Sequence, residues 1–123
     1  GSVHAIAHQI GGRYGIPHGL ANALILPHVL EYCREEAQPR LAELAVVIGA
    51  GEQGEPEAQL AHKFIAAVRE LRTQVGIPDR SDLIRREDHE ALTAAAVAEC
   101  MDYPVPRLLD EASTLAILNQ ITD

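Results

Sequence analysis

The chain has 123 residues, a length that suits one domain with a core of its own. Aromatic residues make up 3% and the formal net charge is −8, values that argue against a β-sandwich, a nucleic-acid partner or an anionic membrane surface. Because no stretch approaches the roughly 20 apolar residues of a membrane span, we expect a soluble, cytoplasmic protein.

The first quarter of the chain predicts two helices. Apolar residues recur at helical spacing over 3–10, and the pair Gly11-Gly12 is expected to end that helix. The segment 20–33 is apolar on all sides, which predicts a buried central helix. Pro27 is expected to kink or break it.

A third and a fourth helix are predicted from proline and glycine positions. Pro39 suits the first turn of a helix over 40–48 that closes at Gly49. After a loop over 49–54, Pro56 begins the longest amphipathic segment, which ends at Gly76. One face of this segment is expected to pack on the core, through apolar residues at Leu60, Phe64, Ala67, Val68, Leu71 and Val75.

The last third of the chain predicts two more helices. One spans about 87–101 and begins with acidic residues that suit the helix dipole. The segment 103–106, Tyr-Pro-Val-Pro, breaks it, and Asp110 is expected to cap a final helix over 111–121. Since no alternating strand pattern appears, the fold class is all-α, a single-domain bundle of about six helices over 1–123.

Two cysteines, Cys33 and Cys100, lie far apart without the spacing of a metal or redox motif. We expect both to be reduced, half-buried thiols.

Four of the six histidines lie in the first quarter of the chain: His4, His8, His18 and His28. His4 and His8 are four residues apart and project from one face of a helix, towards one ion or one bound molecule. A zinc-protease motif needs Glu directly after the first histidine, and position 5 is Ala. That reading is excluded.

His18 stands between Pro17 and Gly19, in a turn that restricts its backbone. A rigid loop histidine that faces a helix histidine is able to share an iron, zinc, copper or nickel ion. Two imidazoles leave such an ion short of its four to six ligands. The competing interpretation is that His4 and His18 are surface or hydrogen-bonded core histidines.

The segment 3–12, Val-His-Ala-Ile-Ala-His-Gln-Ile-Gly-Gly, is followed by Pro-His-Gly-Leu-Ala-Asn-Ala at 17–23 and Leu-Pro-His at 26–28. This pattern resembles the second signature of the iron-containing (group III) alcohol dehydrogenases. The match covers about 25 residues and includes both histidine spacings and the Pro-His-Gly.

The resemblance implies the C-terminal helical, metal-binding domain of an enzyme that transfers hydride between an alcohol and NAD or NADP. It implies that His4 and His18 are two of three histidine ligands of Fe²⁺ (or Zn²⁺). His8 would lie beside the nicotinamide and the substrate, in the proton path. An aspartate and a third histidine, and the α/β dinucleotide-binding domain, would belong to an upstream segment outside this chain.

The remaining candidates are weaker. His62 and His89 are expected on solvated helix faces, and His28 is a candidate for lining the cleft. Tyr14 and Asn22 are candidates for shaping the pocket, with a hydrogen bond to the backbone as the alternative for Asn22.

Three functional hypotheses remain open. The first is a part of a metal-dependent alcohol dehydrogenase that acts on a small alcohol or aldehyde, is inactive alone and possesses a surface for its missing domain or a second copy. The second is a free-standing helical interaction module without catalysis. The third is a related oxidoreductase for maleylacetate-like or glycerol-type substrates. The chain begins at Gly1-Ser2 without Met, so we expect either a cloning remnant or a cut within a longer protein.

Overall fold

A computed structural model describes residues 2–101 and 107–123 of the chain. These residues form six α-helices and a short 3-10 turn, and no β-strand; the predicted all-α bundle of six helices is confirmed. The helices are α1 (Ser2–Tyr14), α2 (His18–Tyr32), α3 (Gln38–Val47), α4 (Glu57–Gln74), α5 (His89–Cys100) and α6 (Glu111–Ile121).

The helices pack in two groups. Helix α1 contacts α2 and α5, α5 contacts α6, and α6 returns to α2, so these four helices close around one core. Helices α3 and α4 form a hairpin that joins the others through the contact of α4 with α2. Buried apolar side chains of the first group form one continuous cluster that includes Ile6, Ile10, Ile25, Leu92 and Leu118.

Helix α1 continues past the glycine pair, so the prediction that it ends at Ile10 is wrong. A glycine inside a helix costs about 1 kcal/mol relative to alanine. Tertiary contacts of the segment after the pair offset this cost, because Tyr14 packs against the core and its hydroxyl donates to Asp88 and accepts from Arg85 N. The chain leaves the helix at Gly15, whose φ of +68° favours glycine.

Helix α2 contains Pro27 within its span, so the proline does not break it. The helix carries five buried residues, as expected for a central element: Ala21, Leu24, Ile25, Pro27 and Val29. It begins at His18, two residues before the predicted start.

The α3–α4 hairpin begins and turns where the prolines and glycines predict. Pro39 lies in the first turn of α3, and Gly49 has a φ of +78° just after its end. Gly51 lies tightly against α4, since a Cβ there would lie 2.5 Å from Cδ2 of Leu60 and the Leu60 side chain would have to shift. The loop therefore lies directly against α4.

The predicted apolar face of α4 is wrong at its C-terminal end. Leu71 and Val75 are 59% and 63% exposed, whereas Arg72 is only 8% exposed. Arg72 follows the buried Ile65 by seven residues, two turns of about 3.6 residues each, and so lies on the same face. Leu71 is rotated by about 100° from that face. Arg72 compensates its burial only in part: Nη2 donates to Oδ1 of Asp79 at 2.5 Å, whereas Nε and Nη1 are buried without a hydrogen-bond partner.

The last two helices follow their sequence signals closely. The acidic segment before α5 is a 3-10 turn, Arg86–Asp88, rather than the start of the helix itself. Asp110 caps α6 by accepting a hydrogen bond from Ser113 N at 2.7 Å, as predicted. The predicted break at 103–106 lies outside the described residues.

His89 is buried, so the prediction that it is solvated is wrong. It is 4% exposed, and its Nε2 lies 2.9 Å from Oγ1 of Thr122 beyond the end of α6. Burial, with a smaller contribution from Arg86, lowers the pKa of His89 below its usual value. His62 is exposed as predicted; its Nδ1 lies 3.2 Å from Nη1 of Arg34.

Both cysteines are thiols outside any disulfide and are more deeply buried than predicted, with Cys33 5% and Cys100 0% exposed. Burial raises the pKa of the Cys33 thiol. Within the described residues, every helix is too short or too polar to cross a membrane.

Candidate functional site

The turn between α1 and α2 sets the position of His18 at the start of α2. Gly15 N donates to Gly11 O at 3.0 Å and closes α1. Pro17 then stands at the N-cap of α2 with a φ of −54° and a ψ of 139°. His18 is the first residue of α2, so its side chain projects from the N-terminal end of a buried helix whose direction is set by the core.

The rings of the three motif histidines lie close together. The ring centroids of His4 and His18 are 5.9 Å apart in an edge-to-face arrangement, and those of His4 and His8 are 5.8 Å apart. A zinc or iron ion lies about 2.1 Å from an imidazole nitrogen, so two rings bound to one ion at a tetrahedral angle have centroids about 5.3 Å apart. The His4 and His18 rings are slightly further apart than that and would have to move closer together to share one divalent ion.

His8 has a partner on a different helix. Its Nδ1 lies 2.6 Å from Oε1 of Glu99 on α5, and Oε2 of Glu99 accepts from Nε2 of Gln9 at 3.3 Å. The His8 side chain is 63% exposed and that of Glu99 only 19% exposed. A half-buried carboxylate thus contacts Nδ1 of a ring that is itself mostly exposed.

Glu99 was not found from the sequence. A signal was present, because Glu99 is the only charged residue between positions 91 and 101. A single acid in such an apolar segment usually has a specific partner. The identity of that partner, 91 positions away, required the packing of α1 on α5.

Tyr14 and Asn22, the two candidates for shaping the pocket, have different surroundings. The Tyr14 hydroxyl donates to Oδ2 of Asp88 at 2.8 Å and accepts from Arg85 N at 3.2 Å, which ties the end of α1 to the start of α5. Its pKa is raised, chiefly by burial. Asn22 lies one helical turn after His18, and its buried Oδ1 has no hydrogen-bond partner. The alternative of a backbone partner for that oxygen is not what the structure shows.

His28 faces a separate cavity. It lies ten residues beyond His18 on α2, about 15 Å along the helix. It lines a polar cavity of about 520 Å³ together with Arg69, Arg72 and Gln120. Burial, then the charges of Arg69 and Arg72, lower its pKa.

Across residues 2–101 and 107–123, no three His, Cys, Asp or Glu side chains converge in a way that would hold a metal ion. The described site contributes the pair His4 and His18, with His8 and Glu99 beside it.

The model of the Fe-containing alcohol dehydrogenase family, C-terminal part, matches residues 1–122. The chain therefore belongs to the iron-containing alcohol dehydrogenase family, as the histidine motif indicated. The family is one of oxidoreductases.

Individual relatives agree with this assignment. The chain is 36% identical over 122 residues to 1,3-propanediol dehydrogenase from Klebsiella pneumoniae, covering 98% of this chain and 32% of that protein. It is 36% identical to lactaldehyde reductase from Escherichia coli K12, covering 87% and 28%. A solved structure of a 1,3-propanediol oxidoreductase superimposes with a TM-score of 0.90 at 36% identity, over 98% of this chain and 32% of that one. The chain spans about a third of the length of these relatives.

Proposed function

We propose that this chain is the metal-side part of an NAD(P)-dependent, iron-type alcohol dehydrogenase. The observation that carries the proposal is the convergence of His4 and His18 from two helices to a centroid distance of 5.9 Å, in a family named for its iron. The remaining two ligands, an aspartate and a histidine, and the dinucleotide-binding domain would come from an upstream segment. The resemblance implies this division of the site.

The proposed reaction converts an alcohol and NAD(P)⁺ into a carbonyl compound, NAD(P)H and a proton. When bound, the divalent ion supplies Lewis acidity at the alcohol oxygen. His4 and His18 hold it as neutral imidazoles, which suits Fe²⁺ or Zn²⁺. His8, exposed beside them, is the proposed group next to the nicotinamide and the substrate, where it accepts the hydroxyl proton.

The proposed substrates are small alcohols and the corresponding aldehydes. Relatives of the chain carry names such as 1,3-propanediol dehydrogenase, lactaldehyde reductase and, at 31% identity, NAD-dependent methanol dehydrogenase. All of these names refer to molecules of one to three carbons, and we extend that size class to the protein that contains this chain.

The test measures bound metal and alcohol-dependent NAD(P) reduction for this chain and for a longer product of its gene. We expect the longer protein to bind about one Fe²⁺ or Zn²⁺ per chain and to oxidise small alcohols, and this chain alone to be inactive. His4→Ala and His18→Ala should each lower the metal affinity of the longer protein at least about 100-fold.

His62→Ala is the matched control, because it removes an exposed imidazole from α4, away from the motif. It should leave metal content unchanged. A longer protein without metal or dehydrogenase activity, or equal metal loss in all three variants, would contradict the proposal and favour a helical interaction module.

A further inference from the structure

We infer that Glu99 is a positioning residue: it fixes the tautomer and the orientation of the His8 ring so that Nε2 is the nitrogen offered to the site as an acceptor. Its consequence for catalysis rests on the function proposed above. The assignment of the tautomer and orientation of the His8 ring rests only on the contact between α1 and α5.

The contact has the geometry of a short, charge-assisted hydrogen bond. Nδ1 of His8 and Oε1 of Glu99 are 2.6 Å apart. The second carboxylate oxygen accepts from Nε2 of Gln9, at 3.3 Å, so both oxygens of Glu99 are directed at α1. Two contacts from neighbouring residues of one helix prevent the carboxylate from rotating freely.

Hydrogen-bonding chemistry then assigns the proton on the ring. A carboxylate accepts hydrogen bonds and has no proton to donate, so Nδ1 of His8 must carry the hydrogen. In the neutral imidazole the other nitrogen, Nε2, then has a free lone pair. Since Glu99 occupies Nδ1 and 63% of the His8 side chain is exposed, Nε2 is the atom left for a substrate or cofactor hydroxyl.

A solvated ion pair on the protein surface would not have this effect. Exposed pairs contribute little to stability and rarely fix a side chain. Glu99 differs because its side chain is only 19% exposed and because it stands alone in an apolar stretch of α5 that packs on α1. Burial of the acceptor makes the alternative tautomer costly, since it would leave the carboxylate facing a lone pair.

The decisive measurement is the nitrogen-15 chemical shift of both ring nitrogens of His8 in this chain, at about pH 8.5, where histidine rings are neutral. We expect a protonated Nδ1 and an unprotonated Nε2. In Glu99→Ala the ring should shift towards the Nε2–H form that histidine prefers in water. Finding Nε2–H in the unaltered chain would overturn the inference without recourse to any variant.

Steady-state kinetics of the longer protein test the consequence for catalysis. We expect Glu99→Gln to lower kcat about 10-fold while KM for the alcohol changes less than about 2-fold, and Glu99→Asp to restore most of the activity. Glu90→Gln is the control, because it removes the same charge from an exposed position in the first turn of α5. It should leave kcat and KM unchanged.

The two tests separate the inference from the proposed function. A longer protein with no dehydrogenase activity contradicts the proposed function, and the tautomer of His8 still decides what Glu99 does to the ring. An active protein in which Glu99→Gln and Glu90→Gln behave alike contradicts the role of Glu99 alone.

Discussion

The four helices that carry the histidines and the α3–α4 hairpin are held together in different ways. Seventeen buried residues of α1, α2, α5, α6 and their connections form one continuous core cluster. The hairpin depends on two clusters of three buried residues each. The candidate site therefore stands on the part of the molecule where packing fixes each helix from several sides, as preorganised ligands require.

The largest expected effect contrasts the two cores. Ile10→Ala removes a fully buried side chain from the continuous cluster, and Leu60→Ala removes one that is 5% exposed from a hairpin cluster. Large-to-small changes of this kind cost about 2–5 kcal/mol, more where neighbours cannot relax. We expect Ile10→Ala near the upper end and Leu60→Ala near the lower end, measured by urea unfolding. Equal losses would mean that the two regions are equally constrained.

A pair of glycines sharpens the same contrast at the backbone. Gly49, after α3, has a φ of +78°, so Gly49→Ala should destabilise the fold by about 1–2 kcal/mol. Gly12 lies inside α1 with nothing within 4 Å of an added Cβ, so Gly12→Ala should stabilise it by about 0.5–1 kcal/mol. Thermal unfolding monitored by circular dichroism gives the sign of the stability change in both variants. A destabilising Gly12→Ala would show that α1 needs the flexibility of glycine at this position.

The cap of α6 provides a smaller effect within the four-helix group. Asp110→Ala deletes the acceptor of Ser113 N and should cost about 1 kcal/mol in the free energy of unfolding. Asp110→Asn retains an acceptor at the same place and is expected to remain close to the original stability. A loss of similar size in both variants would assign the effect to the charge rather than to the hydrogen bond.

The smallest expected effect is a pH dependence. The pKa of His89 is lowered in the fold, so its contribution is fully present above about pH 6.5, the unfolded value, and is lost as the pH falls through the folded pKa. His89→Gln should therefore reduce the difference in unfolding free energy between pH 7.5 and 5.5. His28→Gln is the companion variant, because the pKa of His28 is shifted in the same direction. An unchanged difference in both variants would contradict this account.

Local signals predicted local structure well. Asp110 and the helix that follows it were predicted at the observed bounds, because a cap and an apolar period act over a few residues. The predicted end of α1 was wrong because the tertiary contacts of Tyr14, at the observed end of the helix, outweigh a weak glycine preference. The prediction that His89 is solvated was wrong because the residue that contacts its ring, Thr122, lies 33 positions further along the chain.

The candidate site likewise combines a feature that a local motif predicted with one that depends on helix packing. The convergence of His4 and His18 followed from a motif contained in fifteen residues, and the structure brings the two rings together. The contact of His8 with Glu99 depends on which face of α5 meets α1. The sequence showed that Glu99 is a lone acid in an apolar segment, but not that its carboxylate lies 2.6 Å from Nδ1 of His8. The assignment of His4 and His18 as ligands stays a prediction.

The close approach of Gly51 to Leu60 bears on how the family diversifies. An added methyl at position 51 would meet Cδ2 of Leu60 at 2.5 Å, with Oε2 of Glu55 at 3.0 Å on another side. A smaller residue at position 60 would provide the space that a larger one at position 51 needs. Among homologues, these two positions should therefore covary, small with large, although they are nine positions apart in the chain.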